Sequence, residues 1–269
     1  MIPLTGGLLS LGLADRAEFA ALREQLAESS RGAAWPAWPT VSAFLEQRTR
    51  EPIVFAVVWQ SWPDEFSAAD VHRLLAALPL CRVVCVTGAW CESDARTRRV
   101  WPPALVVPWW RAGPRLAREW QALCHTPGDL LPWTASREET WLWEQASLQS
   151  PRLDGVRVSI AMSDPAFAAT IRDVATSAGA TVVEERPDVV LVDADPWSAT
   201  LAATLADVVT RVAPATVVAF SAWTTPELLA ACRESGVAAV LPKLDPSAGL
   251  AGLAKPVRDQ STDRCRAGT

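Results

Sequence analysis

The sequence predicts an α/β protein of two domains, each a five-stranded parallel sheet with helices on both faces. Three observations carry this. Short apolar runs at residues 53–59, 82–87 and 188–193 do not alternate with polar residues, as strands buried on both faces do not. Stretches with apolar residues at helical spacing separate these runs, and strands alternating with helices build parallel sheets. A single offset of 134 residues then lays one half on the other: Trp59 falls on Asp193, Thr87 on Ser221, Pro108 on Pro242, Trp109 on Lys243 and Leu116 on Leu250.

Residues 8–14 are a short apolar run ending at Asp15, the first strand. Residues 17–29 place Phe19, Leu22 and Leu26 at helical spacing beside Arg23 and Glu24, an amphipathic helix. Trp35-Pro36-Ala37-Trp38-Pro39 breaks regular structure and reads as a surface excursion with two anchoring rings. A helix over 41–50 and a buried strand over 53–59 follow. Ser67 caps a helix whose apolar face is Val71, Leu74, Leu75 and Leu78, with Asp70 favouring its N-terminus. Strands over 82–87 and 105–107 and a helix over 114–124 close the first domain, residues 1–125. Residues 126–154 break the alternation with a turn at Thr126-Pro127-Gly128-Asp129 and a helix over 136–147. That helix carries Trp141 and Trp143 and reads as a linker packing across the domain junction.

The second domain, residues 155–258, repeats the plan. Strands are expected over 156–162, 181–183, 188–193, 216–221 and 238–241. Helices are expected over 165–178, 199–212, 226–235 and near 247–257, with Gly179 and Gly236 ending the first and third. A disordered tail over 259–269 completes the chain. The count fits a flavodoxin-like layout, in which chemistry gathers at the carboxyl edge of the sheet. Asp193 ends the central strand of this half at that edge. On the first strand the offset becomes 149, pairing Asp15 with Asp164.

The length of 269 residues suits two domains, and a composition half hydrophobic and one fifth charged is that of a globular protein. A net charge of −5 and a pI near 5.2 give no reason to expect nucleic acid. The one basic run, Arg96-Thr97-Arg98-Arg99, reads as a solvated loop. The six cysteines form no CxxC pair and the histidines number two, so no zinc set is recognisable. Cys81 and Cys85 read as buried thiols. No signal segment and no long apolar span are evident, which points to a cytoplasmic protein that does not enter a membrane. The sequence has no phosphate-cradling glycine loop, nucleophile elbow or histidine beside an acid, so an enzyme is not expected. Of 14 tryptophans only Trp197 and Trp223 follow residue 150, and tyrosine is absent. The halves have diverged in composition.

Three edge residues make the second half resemble the receiver domain of bacterial two-component response regulators, over about 105 residues from Arg157. Asp193 ends Pro187-Asp188-Val189-Val190-Leu191-Val192 as the phosphoacceptor of that family does. Ser221 and Lys243 stand where the family has its switch hydroxyl and its lysine. The resemblance implies a phosphoryl group accepted on Asp193 and sensed by Ser221 and Lys243. It also implies Mg²⁺, for which the candidate ligands are Asp164 and Asp193. Met162 and Ser163, however, replace the acid pair that holds the metal, and Pro196 follows the acceptor by three residues, not four. In the first half the equivalent positions are Trp59, Thr87 and Trp109, and no acid pair follows the first strand. The expectation is a non-enzymatic regulatory or scaffold protein of two degenerate receiver-like domains in tandem, with no cofactor. It binds a protein partner, and Trp59, Trp109 and Trp110 are candidates for that contact. A phosphorylation-responsive switch on Asp193 is the alternative.

Overall fold

The computed structural model describes residues 7–30, 34–47, 52–91, 99–125, 130–145, 152–246 and 250. The expected turn at 126–129, the helix over 247–257 apart from residue 250, the tail and most of the basic run lie outside the described residues. Contacts divide the chain into two units, Met1–Ser147 and Leu148–Thr269.

In the first unit β1 (Gly7–Gly12), β2 (Ala37–Trp38), β3 (Ile53–Gln60), β4 (Arg82–Thr87) and β5 (Val106–Pro108) form a parallel sheet in the order β2-β1-β3-β4-β5. This is the flavodoxin-like order, with its topological switch point between β1 and β3. Helices α1 (Ala20–Ser29) and α4 (Trp109–His125) bury Leu22, Leu26 and Leu116 on one face against Phe55, Val57 and Val84. On the other face α2 (Val41–Gln47) and α3 (Ala68–Ala77) bury Val41, Phe44, Val71 and Leu74. Val57 thus enters one core and Val58 the other, which is why the strand is apolar throughout. Ser67 caps α3 as expected, accepting from Asp70 N at 3.1 Å. Cys81 and Cys85 are buried, as expected.

Several boundaries depart from the expectations. The Trp-Pro excursion contains β2: Ala37 and Trp38 pair with Ser10 and Leu11, and the Pro36 carbonyl accepts from Ser10 N at 2.9 Å. A two-residue strand beside prolines is too short to show a period. The closing helix starts at Trp109, straight out of β5, with Pro114 inside it. A single 3₁₀ turn, Ala17–Phe19, precedes α1. Gly12 ends β1 at φ +94°, where a Cβ would lie 2.3 Å from the Trp59 carbonyl oxygen, so the close approach of β1 and β3 requires glycine.

The helix expected between the domains, α5 (Arg137–Gln145), belongs to the first unit. Ser136 and Glu139 cap it reciprocally, with Ser136 N donating to Glu139 Oε2 at 2.7 Å and Glu139 N to Ser136 Oγ at 3.1 Å. Buried charge ties it down. Arg115 bridges Glu119 at 2.7 Å and Glu144 at 2.8 Å, while Arg82 pairs bidentately with Glu119 and reaches the Leu131 carbonyl at 2.5 Å.

In the second unit β6 (Arg157–Ala161), β7 (Thr181–Val182), β8 (Val189–Asp193), β9 (Thr216–Ser221) and β10 (Ala239–Pro242) form a second parallel sheet in the order β10-β9-β8-β6-β7. This is the same flavodoxin-like order, read from the other edge. Helix α6 (Pro165–Ser177) covers one face through Ile171 and Ala175. The other face lies under α7 (Ala199–Val212) and α8 (Pro226–Glu234) through Leu205, Leu228 and Cys232. The offset of 134 holds in the pairing itself: Trp59 sits opposite Val86 as Asp193 sits opposite Phe220, and Thr87 opposite Pro108 as Ser221 opposite Pro242. On the first strand Leu11 pairs with Val58 as Ala161 pairs with Val192, an offset of 150 and not 149. Ala14, not Asp15, therefore matches Asp164; an apolar run slides by one residue without penalty when only sequence is compared. Among the described residues no helix is long and apolar enough to cross a membrane.

Candidate functional site

β6 and β8 flank the switch point of the second sheet, and the residues at and beyond their carboxyl ends meet there. Ser163 donates to Asp193 Oδ2 through its N–H at 3.3 Å and through its hydroxyl. The N–H of Asp195 donates to Asp193 Oδ1 at 3.1 Å. Lys243, just past β10, reaches across β9 on its long stem. Its Nζ lies 2.7 Å from Asp193 Oδ1 and 2.9 Å from Asp195 Oδ2. The Lys243 N–H is anchored on the Ser221 carbonyl at 2.9 Å, which sets the stem's starting point. Ser221, fully buried at the end of β9, donates to Asp195 Oδ1 at 2.7 Å and accepts from Trp223 N at 3.0 Å. Ala222 N completes Asp195 at 2.7 Å.

The cluster favours the charged forms of its central pair. Burial opposes ionisation of Asp193, but hydrogen bonds from Lys243, Ser163 and Asp195 N, together with the ammonium charge, outweigh it and hold the carboxyl below the usual aspartate range. Burial likewise opposes charge on Lys243, and the carboxylates of Asp193 and Asp195 overcome it, raising the ammonium above the usual lysine range. Side-chain exposure is 7% for Asp193 and 18% for Lys243, so the pair is partly shielded from solvent and salt.

The geometry brings Asp193, Ser221 and Lys243 together and leaves Asp164 out. Asp164 is the N-cap of α6, its Oδ1 accepting from Ala166 N at 2.8 Å and Phe167 N at 3.3 Å, with Pro165 at the first helical position. Asp164 and Asp193, the candidate Mg²⁺ ligands, are each engaged with other groups. One carboxylate is committed to a helix end, the other is neutralised by an ammonium, and Met162 and Ser163 add no acid. Among the described residues no group of three or more His, Cys, Asp or Glu could hold a metal ion. A hard divalent cation needs more oxygen ligands than these residues offer.

Asp195 and Ser163 are the two participants that sequence reasoning missed. Asp195 follows the strand end by two residues and so returns to the same side as Asp193. That parity, in Asp193-Ala194-Asp195, was the available signal. Ser163 carried none.

At the equivalent positions of the first sheet, Trp59 is 1% exposed, packs on Phe19 with ring centroids 5.1 Å apart, and donates its indole N–H to Ser10 Oγ at 2.9 Å. It is a core residue and does not offer its ring to a partner. Thr87 donates to the Val107 carbonyl at 3.4 Å. Trp109 is half-buried against the α1–α4 core, and Trp110 is half-buried with the Arg111 guanidinium 5.0 Å from its ring.

No protein-family model matches the chain, and no curated protein does. Among solved structures it is similar to the signal receiver domain of the response regulator NarL from Mycobacterium tuberculosis, at 22% identity over 40% of this chain and 98% of that one, with a TM-score of 0.32. It is also similar to the Escherichia coli RcsC C-terminus, which contains a linker region and a phosphoreceiver domain, at 15% identity over 97% of this chain and 96% of that one, TM-score 0.34. The GsuK channel aligns at 10% identity over 96% of this chain and 71% of that one, TM-score 0.29. The fold assignment rests on the strand order and register of the two sheets.

Proposed function

We propose that the chain is a non-enzymatic regulatory protein built from two degenerate receiver-like domains, the product of a tandem duplication, and that it works by binding a protein partner in a signalling system. The observation that carries this reading is the saturation of Asp193. Its two oxygens accept from Lys243 Nζ, Asp195 N and both donors of Ser163, which fills the lone-pair sites a carboxylate has. A carboxylate so engaged, with no metal cage beside it, is a weak nucleophile towards phosphorus. Partner binding is supported by tryptophans that the cores do not absorb: Trp223 beside the cluster is 58% exposed, and Trp141 on α5 is 51% exposed.

The alternative, a switch phosphorylated on Asp193, draws support from the ionised state of that carboxylate and from its contact with Lys243. One experiment separates the two readings. The protein is incubated with a small acyl-phosphate donor and Mg²⁺, and its intact mass is measured. The expected result is an unchanged mass; one added phosphoryl group that vanishes in Asp193→Asn overturns the scaffold reading in favour of the switch.

A further inference from the structure

The carboxyl edge of the first sheet carries its own buried acid, and its surroundings differ from those of Asp193. Glu18, in the 3₁₀ turn after β1, is 4% exposed. Its Oε2 accepts from Ala89 N at 3.3 Å, beyond the end of β4. Its Oε1 has no hydrogen-bond partner among the described residues, and neither has the buried Ser61 hydroxyl, past the end of β3. The carboxyl is pressed on the chain at Gly88, where a Cβ would lie 2.6 Å from Oε1 and 2.7 Å from Oε2. Two charged groups bear on it: Arg16 from its own segment and Glu65 from the turn before α3. Glu65 Oε2 is itself held by Ser61 N at 2.6 Å.

We infer that Glu18 is a proton-operated latch on the carboxyl edge of the first sheet, seating the 3₁₀ turn Ala89–Cys91 when neutral and releasing it when ionised. A neutral carboxyl fits a buried place with one weak donor and one orphaned oxygen, whereas an anion there is short of partners. Burial raises the Glu18 pKa, outweighing the lowering by Ser61, Ala89 N and Arg16 and acting in the same direction as the Glu65 charge. The sign is that of a raised acid. The latch is fully seated below the value glutamate has in the unfolded chain and weakens as pH rises through the folded value. This device is independent of the Asp193 cluster and of the partner proposed above.

Cys91 reports the latch. Its thiol is buried, with Sγ 3.5 Å from the Gln60 carbonyl in a contact that release of the turn breaks. The rate of Cys91 modification by a thiol reagent is read by peptide mass mapping from pH 4.5 to 8 in wild type and in Glu18→Gln, the isosteric neutral variant. The ratio at each pH cancels the thiol's own ionisation. The ratio is expected to stay near one at acid pH and to rise by up to about tenfold per pH unit above the Glu18 transition, the slope of one proton. A ratio flat over this range overturns the latch. If Glu18→Gln does not fold, the wild-type carboxyl is titrated by ¹³C NMR: a midpoint above the ordinary glutamate value supports the latch, and one at or below it overturns the latch.

Discussion

At the carboxyl edge of the second sheet Asp193 and Asp195 share one ammonium, with Lys243 Nζ within 2.9 Å of both carboxylates. At the same register of the first sheet Trp59 lies in the core against Phe19, and the edge acid, Glu18, has one oxygen without a partner among the described residues. Identical strand order and pairing register therefore support two unlike solutions. One gathers charged groups that pair with one another; the other places an aromatic ring in the core at that register, beside a buried acid. A fold fixes where side chains meet, and the side chains decide what the meeting point does.

The largest test of this contrast is Trp59→Ala, which removes a fully buried ring and strands Ser10 Oγ. A loss of about 3–5 kcal/mol is expected for the first unit, read from denaturant dependence of hydrogen exchange in β3 peptides. A loss below about 1 kcal/mol would mean that the ring is not core.

Lys243→Met sharpens the other side of the comparison. It leaves two carboxylates facing each other in a partly shielded site and is expected to cost the second unit about 1–3 kcal/mol, between exposed and buried pairs. The pH dependence has two limbs. Asp193 is depressed, so its contribution is present above about 3.9, the unfolded aspartate value, and lost as pH falls through the lower folded value. Lys243 is raised, so its contribution is present below about 10.4 and lost as pH rises through the higher folded value. Exchange of β8 peptides against pH in wild type and Lys243→Met checks this, the variant lacking the alkaline limb.

The smallest effect is expected from Asp164→Ala. Losing an N-cap costs about 1 kcal/mol in the unfolding of α6, and weak Mg²⁺ binding measured by calorimetry is the same with and without the change. A Mg²⁺ affinity that falls with Asp164 would return the residue to the role the sequence suggested.

Much of the fold was legible because buried parallel strands are written as unbroken apolar runs, and the offset of 134 needed no structure to find. The convergence of Asp193, Ser221 and Lys243 was legible for the same reason, since each ends or follows such a run. β2 was hidden by its two-residue length, and the register of β1 by the interchangeability of leucines. The capping role of Asp164 was signalled by Asp-Pro at a helix start, but its nearness to the first strand drew the chemical reading instead. Glu18 was passed over because a glutamate in a stretch at helical spacing reads as solvated until its neighbours are known.

The charge ladder Arg82, Glu119, Arg115 and Glu144 sets where the first unit can be divided. The sheet is complete at Pro108 and α4 at His125, yet cutting there strips Arg115 of Glu144 and Arg82 of the Leu131 carbonyl. Guanidinium groups left in a dry interior short of partners are among the costliest defects a domain can carry. Residues 130–145 are thus part of the smallest portable form of this unit: any transfer of the domain to another chain, by recombination or by hand, has to take α5 along.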